Sequence, residues 1–486
     1  MNKTIRRAAV FSLLLVLALL VRATWVQFYD GQALADNDKN RRKTIARYAY
    51  PLGDIIVGGE AVTGSERTGG GSDLKYRRTY KDGSLYSAVT GFTSQVYGST
   101  QLEALYQDVL DGTDSRLSNP VDTLTGKHAD PGDVITTIDP AVQKAAAEAL
   151  GSKKGAAVAI DPRTGKILGM VSSPSYDPSK ISGSGAADAK AWQELSADKD
   201  VPTLNRALKQ ALPPGSTFKL VVAAAALENG LYASVDERTD SPNPYLLPGT
   251  STYLKNESVS APCENASLRT ALQYSCNNVF GKIAVDLGQD KIRAMADRFG
   301  FDDKKRDVPV RAAESVYPTG MDKAQTALSA IGQFDVTATP LQMAMVSATL
   351  ANGGEQAAPH MVSEVTNADG DAVRSYPDSD TERVVSESTA SQLRSAMETV
   401  VAKGTGTNAQ ISGATVGGKT GTAQHGENNS QTPYAWFTSY AKDDTSGKEV
   451  AVAVVVEQSD AARSEVSGNG LAAPVARAMM AAALRD

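Results

Sequence analysis

The sequence predicts an α+β protein in which helices flank an antiparallel sheet, with an all-helical insertion, a small N-terminal spacer domain and a membrane anchor. Three observations lead there. Strand-like apolar runs gather at 155–160, 166–171, 434–441 and 449–457, near the two ends of one long segment. Helical patterns fill the interval, at 216–228, 266–287, 322–331, 340–352 and 388–403. Ahead of them all, a basic tail runs into an uninterrupted apolar stretch. Strands grouped apart from helices favour one sheet with helices packed on it over an alternating parallel sheet.

The N-terminus comes first. Lys3, Arg6 and Arg7 precede apolar residues 8–21, followed by Arg22, Trp25, Phe28 and Tyr29. The apolar length suits a signal-peptide core, but the next Ala-x-Ala, Ala33-Leu-Ala35, lies too far downstream for cleavage. Arg22 can snorkel and the aromatic residues suit an interface, so the stretch reads as a retained anchor. Residues 1–7 form a cytoplasmic tail, 8–28 span the membrane, and the rest lies outside the cell membrane. Residues 36–131 are polar and loop-rich, with a glycine run at 68–72, a short strand at 54–57 and a helix near 100–110. They read as a spacer carrying the domain at 132–486.

That domain opens with a strand, Val134 to Ile138. Asp139-Pro140 then starts a helix, with Asp as N-cap and Pro at the first helical position. Asp161-Pro-Arg-Thr-Gly165 turns one strand into the next as a hairpin. The inserted helices follow, the strands return, and a terminal helix begins at about 470.

Composition narrows the function. A chain of 486 residues with net charge -6 carries no basic excess for a nucleic-acid partner. Its two cysteines, Cys263 and Cys276, make no zinc cluster. In an exported chain they form either a disulfide closing a short loop or two inert thiols. His128, His360 and His425 lack metal-ligand spacing, and no Gly-x-Ser-x-Gly elbow exists for a histidine triad. No metal and no cofactor is called for.

Three motifs remain: Ser216-Thr-Phe-Lys219, Ser275-Cys-Asn277 and Lys419-Thr420-Gly421. Ser-x-x-Lys also starts at Ser72, Ser196 and Ser439, and Ser-x-Asn at Ser241 and Ser467. Ser216 differs because Pro213-Pro-Gly215 precedes it and an apolar helical run follows. Ser216 then sits in the first turn, with Lys219 one turn on and on the same face. Burial beside another cation depresses a lysine pKa, so that it can take the serine proton. Ser275 and Asn277 lie at or beside a helix end; Ser275 can relay a proton, and the Asn277 amide can hold a substrate amide with donor and acceptor together.

Gly413 to Thr420 also spells a phosphate loop, but such a loop follows a strand and opens a helix. Here Gly421-Thr422-Ala-Gln-His-Gly cannot start one. As a strand, the segment turns Lys419 and Gly421 to one face, Thr420 and Thr422 to the other. The cation and hydroxyls suit a substrate carboxylate, and Gly421 leaves its backbone open to close approach.

These motifs resemble the signature set of penicillin-binding proteins and serine β-lactamases. Pro214-Gly-Ser-Thr-Phe-Lys219, Asn205-Arg-Ala207, Thr339-Pro-Leu-Gln-Met-Ala344 and Gly418-Lys-Thr-Gly-Thr-Ala-Gln424 are similar to class B penicillin-binding proteins of the short actinobacterial cell-division type. From about residue 132 to the C-terminus the resemblance implies a penicillin-binding transpeptidase fold. It further implies a D,D-transpeptidase that cross-links peptidoglycan stem peptides on lipid II-derived strands. Ser216 would be the nucleophile, Lys219 its base and Ser275 the relay. Asn277, Lys419, Thr420, Gly421 and Thr422 would bind the donor, with the Ser216 and Thr422 N–H groups as oxyanion hole. β-Lactam antibiotics would acylate the same serine, and a membrane glycan polymerase of the shape, elongation, division and sporulation class would be the partner. A carboxypeptidase or β-lactamase-type hydrolase, or a β-lactam sensor or division scaffold, would share the motifs. The segment Pro51-Leu-Gly-Asp-Ile-Ile-Val-Gly-Gly59 retains only part of a stretch many class B members carry there.

Overall fold

The computed structural model describes residues 3–30, 41–69, 72–117, 129–378, 380–426 and 429–485. Ala33-Leu-Ala35, two glycines of the 68–72 run and His128 lie outside them.

Helix α1 (Lys3–Trp25) continues as one π-helical turn to Asp30, and none of its residues is buried. It is longer than the apolar stretch alone, because the helix takes in the basic residues on both sides. At ~1.5 Å per residue, 23 residues span about 35 Å, enough for a bilayer core. Among the described residues it is the one helix long and apolar enough to cross a membrane.

The chain then contributes β1 (Ile55–Val57), β2 (Glu60–Ala61), β3 (Asp133–Thr136), α2 (Pro140–Leu150), β4 (Lys154–Ile160) and β5 (Ile167–Ser173). Next come α3 (Lys219–Glu228), α4 (Leu268–Gln273), α5 (Asn277–Leu287), α6 (Pro340–Ala351), β6 (Val362–Thr366) and β7 (Ala372–Ser375). The last elements are α7 (Glu387–Lys403), β8 (Ala414–Ala423), β9 (Tyr434–Asp443), β10 (Glu449–Gln458) and α8 (Ala473–Ala483).

A small sheet runs in the order β7-β6-β3-β1-β2. The strand expected to open the second domain therefore stands beside β1, parallel to it, with Ile55 opposite Val134. The hairpin β6–β7, which the polar run 362–375 does not announce, completes that sheet. Among the described residues of 36–131 only β1 and β2 join this sheet, and later segments complete it. The helix expected near 100–110 is two short ones, Gln101–Leu105 and Gln107–Leu110, and Gly83–Thr90 adds an unanticipated third.

The large sheet is antiparallel throughout, in the order β8-β9-β10-β4-β5. Period-two alternation sorts its side chains. Val452, Val454 and Val456 pack with Val142, Met479 and Met480 of α2 and α8. Ala451, Ala453 and Val455 belong to the core of the inserted helices, with Val221, Met345 and Leu393. Each buried valine contributes roughly 1.5–3 kcal/mol of transfer free energy. Every residue of α6 is buried, so this helix sits behind the sheet with no polar face. Asp139 caps α2, its Oδ1 accepting from the Ala141 and Val142 N–H groups at 2.7 and 3.1 Å. Strand β8 forms one edge of the sheet, which leaves alternate backbone groups on its outer side without a strand partner. The motif residues gather there.

Candidate active site

Gly215–Phe218 form a 3₁₀ turn leading into α3, so Ser216 stands at the helix entrance. Gly215 has φ +55°, and a side chain there would start 3.2 Å from Cβ of Ala423 in β8. Gly421 faces the same contact from the strand: a Cβ on it would lie 2.8 Å from the Pro214 carbonyl oxygen and 3.1 Å from Thr217 Cγ2. The sequence reading reserves that space for substrate. The fold fills it instead with the nucleophile turn, because Gly421 shares the inward face of the strand with Lys419. Ser216 is 8% exposed and its hydroxyl makes no hydrogen bond among the described residues, which leaves it open to the pocket.

Two lysines converge on Ser275. Lys219 Nζ donates to the Ser275 carbonyl at 2.8 Å and to Asn277 Oδ1 at 2.7 Å, and lies 3.2 Å from Ser275 Oγ. Lys419 Nζ donates to Ser275 Oγ at 3.0 Å and to the Thr420 carbonyl at 2.9 Å. Both side chains are fully buried. Burial, then the neighbouring Lys419 charge, hold Lys219 well below the ordinary lysine range, against a weaker opposing field from Glu257. Burial pushes Lys419 down to about 7, again opposed by Glu257. A lysine so placed accepts a proton near neutral pH.

The backbone presents Ser275 at a break between α4 and α5, the helix end expected beside it within the helical run 266–287. Ser275 has φ +58°, an uncommon conformation for a residue with a side chain. The two residues that follow are tied down. The Cys276 N–H donates to the Ala271 carbonyl at 2.8 Å, and Cys276 is joined to Cys263 by a disulfide. The Asn277 N–H donates to Asn256 Oδ1 at 2.6 Å.

A cavity of about 250 Å³ opens over Ser216 and Ser275, lined also by Thr420, Thr422, Thr405 and Asn469. The strand alternation read from the sequence holds: the threonines face the cavity, Lys419 and Gly421 the interior. Lys419 thus acts from behind the wall. Asn277 is also partly committed, since Oδ1 accepts a hydrogen bond from Lys219 Nζ and Nδ2 donates to the Lys255 carbonyl at 2.9 Å. One amide hydrogen remains for a substrate carbonyl.

Several lining residues escape the sequence reading. Thr405 shares a hydrogen bond with Thr420, Oγ1 to Oγ1 at 2.7 Å. Asn469 clasps the loop that carries it to the next: its Oδ1 accepts from the Asn408 N–H at 2.9 Å, its carbonyl from Asn408 Nδ2 at 3.0 Å. Ser467-Gly-Asn469 is a spare match to Ser-x-Asn, so a signal existed. Glu257 has none, as it sits in a patternless loop. A larger cavity of about 550 Å³, lined by Lys43, Arg47 and Asp108 among others, holds none of the motif residues.

Among the described residues lining this cavity there is no histidine, which leaves lysine and serine as the groups placed to move a proton at Ser216. That division of labour, on a five-stranded sheet edge, defines the serine acyltransferases of the penicillin-recognising class. The comparisons agree. Residues 155–481 match the penicillin binding protein transpeptidase domain, and residues 52–134 the penicillin binding protein A dimerisation domain. The chain is 39% identical to peptidoglycan D,D-transpeptidase PbpA of Mycolicibacterium smegmatis, covering 100% of both. It is 38% identical to the PbpA of Mycobacterium tuberculosis, covering 100% of this chain and 99% of that one. The structure of penicillin-binding protein A from M. tuberculosis as its ceftriaxone acyl-enzyme superposes with TM-score 0.84 at 36% identity, covering 91% of this chain and 100% of that one. The penicillin G acyl-enzyme of the same protein gives 0.81 at 38%, covering 89% and 99%. The chain belongs to this family: it is a class B penicillin-binding protein, a peptidoglycan D,D-transpeptidase of the serine acyltransferase type.

Proposed function

We propose that Ser216 Oγ attacks the carbonyl of a D-Ala-D-Ala peptide bond on a peptidoglycan stem peptide. Lys219, neutral before attack, takes the hydroxyl proton, and Ser275 passes a proton on to the departing D-Ala nitrogen. The N–H groups of Ser216 and Thr422 receive the oxyanion. The hydroxyls of Thr420 and Thr422 hold the terminal carboxylate, with the Lys419 charge behind them. The free Asn277 amide hydrogen binds the donor backbone. Gly421 serves by letting β8 and the nucleophile turn meet. The acyl group then passes to an amine of a neighbouring stem peptide. β-Lactams acylate Ser216 in the same way, a reading supported by the acyl-enzymes of the M. tuberculosis relative.

The observation that carries this reading is the pair of lysines at 3.2 and 3.0 Å from Ser275 Oγ. One hydroxyl between two lysines of lowered pKa, one neutral and one charged, can relay a proton without histidine.

The same proposal sets the enzyme on the outer face of the cell membrane. Residues 1–7 are cytoplasmic, 8–28 span, 36–131 form the spacer and 132–486 the transpeptidase domain. A basic N-terminal flank and a disulfide beside the active site support this topology. Strands come from lipid II through a membrane polymerase of the shape, elongation, division and sporulation class. The test is reconstitution of the full chain with lipid II and such a polymerase. Cross-linked muropeptides that vanish with Ser216→Ala are expected. Trimmed, uncross-linked peptides alone would instead mark a carboxypeptidase, and acylation without either product a sensor.

A further inference from the structure

Glu257 is the one carboxylate among the residues lining the cavity that holds Ser216 and Ser275. Its side chain is exposed there and makes no hydrogen bond or ion pair among the described residues. The segment around it is nonetheless fixed. The Lys255 carbonyl accepts from Asn277 Nδ2 at 2.9 Å. Asn256 Oδ1 accepts from the N–H groups of Asn277 and Asn278 at 2.6 and 3.3 Å, and its Nδ2 donates to Asn278 Oδ1 at 2.9 Å. The backbone carrying Glu257 is thus bolted to the Ser275-x-Asn277 motif, while the carboxylate itself is left for something else.

An anionic group here works against the first half of the reaction. It repels a donor that enters with its own carboxylate, and its field opposes the loss of the proton from Lys219, the proposed base. The second half has the opposite need. The acceptor is an amine, cationic in neutral water, and must come to the acyl-enzyme past the Lys419 charge. We infer that Glu257 is the acceptor-binding residue, holding the ammonium of the incoming stem-peptide amine beside the Ser216 ester. This rests on the transpeptidase reading above. The ammonium releases one proton to solvent as it moves to the ester. The nitrogen then bonds to the carbonyl carbon and the C–Oγ bond breaks. The second nitrogen proton passes to Lys219 and ends on Ser216 Oγ, regenerating the hydroxyl.

The test uses the full-length protein in detergent and a D-alanyl thioester or depsipeptide donor, which acylates Ser216 independently of the acceptor. The acyl group is partitioned between a cationic amine (a D-amino acid amide) and an uncharged nucleophile, methanol. In Glu257→Gln, transfer to the amine should fall about tenfold relative to methanol, and Glu257→Asp should restore part of it. Equal loss with both nucleophiles would overturn the inference and make Glu257 a support of the motif. An unchanged ratio would overturn it as well. Absence of amine transfer in the wild type would instead contradict the transpeptidase reading on which the inference rests.

Discussion

Ser275 Oγ accepts a 3.0 Å hydrogen bond from Lys419 Nζ, a residue 144 positions later in the chain and on a different layer of the fold. The contact joins the edge strand of the sheet to the helical insertion. It also puts a second cation within reach of the hydroxyl that faces Lys219.

Removal of that hydroxyl by Ser275→Ala should leave the fold intact and slow acylation by a labelled penicillin about a hundredfold or more, the usual scale for a lost proton relay. Stopped-flow acylation measures it. An unchanged rate would remove Ser275 from the proton path.

The lysines set a pH profile. In the proposed mechanism acylation needs neutral Lys219, so kcat/KM should rise with pH through an ionisation well below the ordinary lysine range. It needs a charged Lys419, so the rate should fall as that group loses its proton at about 7 in the free enzyme. Lys419→Arg keeps the charge and should abolish the falling limb. Stability moves too: the folded protein holds fewer protons than the unfolded one from about 7 up to the ordinary lysine range, so stability rises with pH across that window. A falling limb that persists in Lys419→Arg would refute the assignment.

Gly421→Ala should act at a distance from the pocket. The added methyl meets the Pro214 carbonyl at 2.8 Å, so the nucleophile turn must move. A displacement of about 1 Å costs on the order of a hundredfold in rate. Acylation kinetics with unchanged circular dichroism would show it, and a normal rate would mean the turn has room to yield.

Replacing Cys263 and Cys276 together by alanine opens a loop with sequence separation 13. Loop-closure entropy predicts a loss of about 3 kcal/mol, read by denaturant unfolding. Acylation should slow as well, since Cys276 helps hold Ser275 at its positive φ. Retained stability and rate would make the bridge incidental.

Much of this is legible in the sequence, and the misses share a cause. The large sheet, the α3 nucleophile helix and the alternation of Lys419 with Thr420 follow from local periodicity, which short segments carry. Three-dimensional closure is not local. The strand at 133–136 pairs with β1 and with a hairpin more than two hundred residues on, and its own apolar pattern cannot say which sheet receives it. Gly421 is visible as a glycine, but whether substrate or Pro214 fills its space depends on the face the strand turns inward. The helix end beside Ser275 is legible, but its positive φ is not, because it goes with the contacts of Cys276 and Asn277 to Ala271, Cys263 and Asn256 rather than with its own side chain. Thr405, Glu257 and Asn469 reach the site from loops, where position carries no periodic signal.

Intact-protein mass spectrometry after incubation with penicillin shows whether Ser216 is the acylated nucleophile. A slowly released adduct of one penicillin, mapping to the peptide that contains Ser216, is expected, with no adduct on folded Ser216→Ala. An adduct of equal mass on the variant would contradict that assignment.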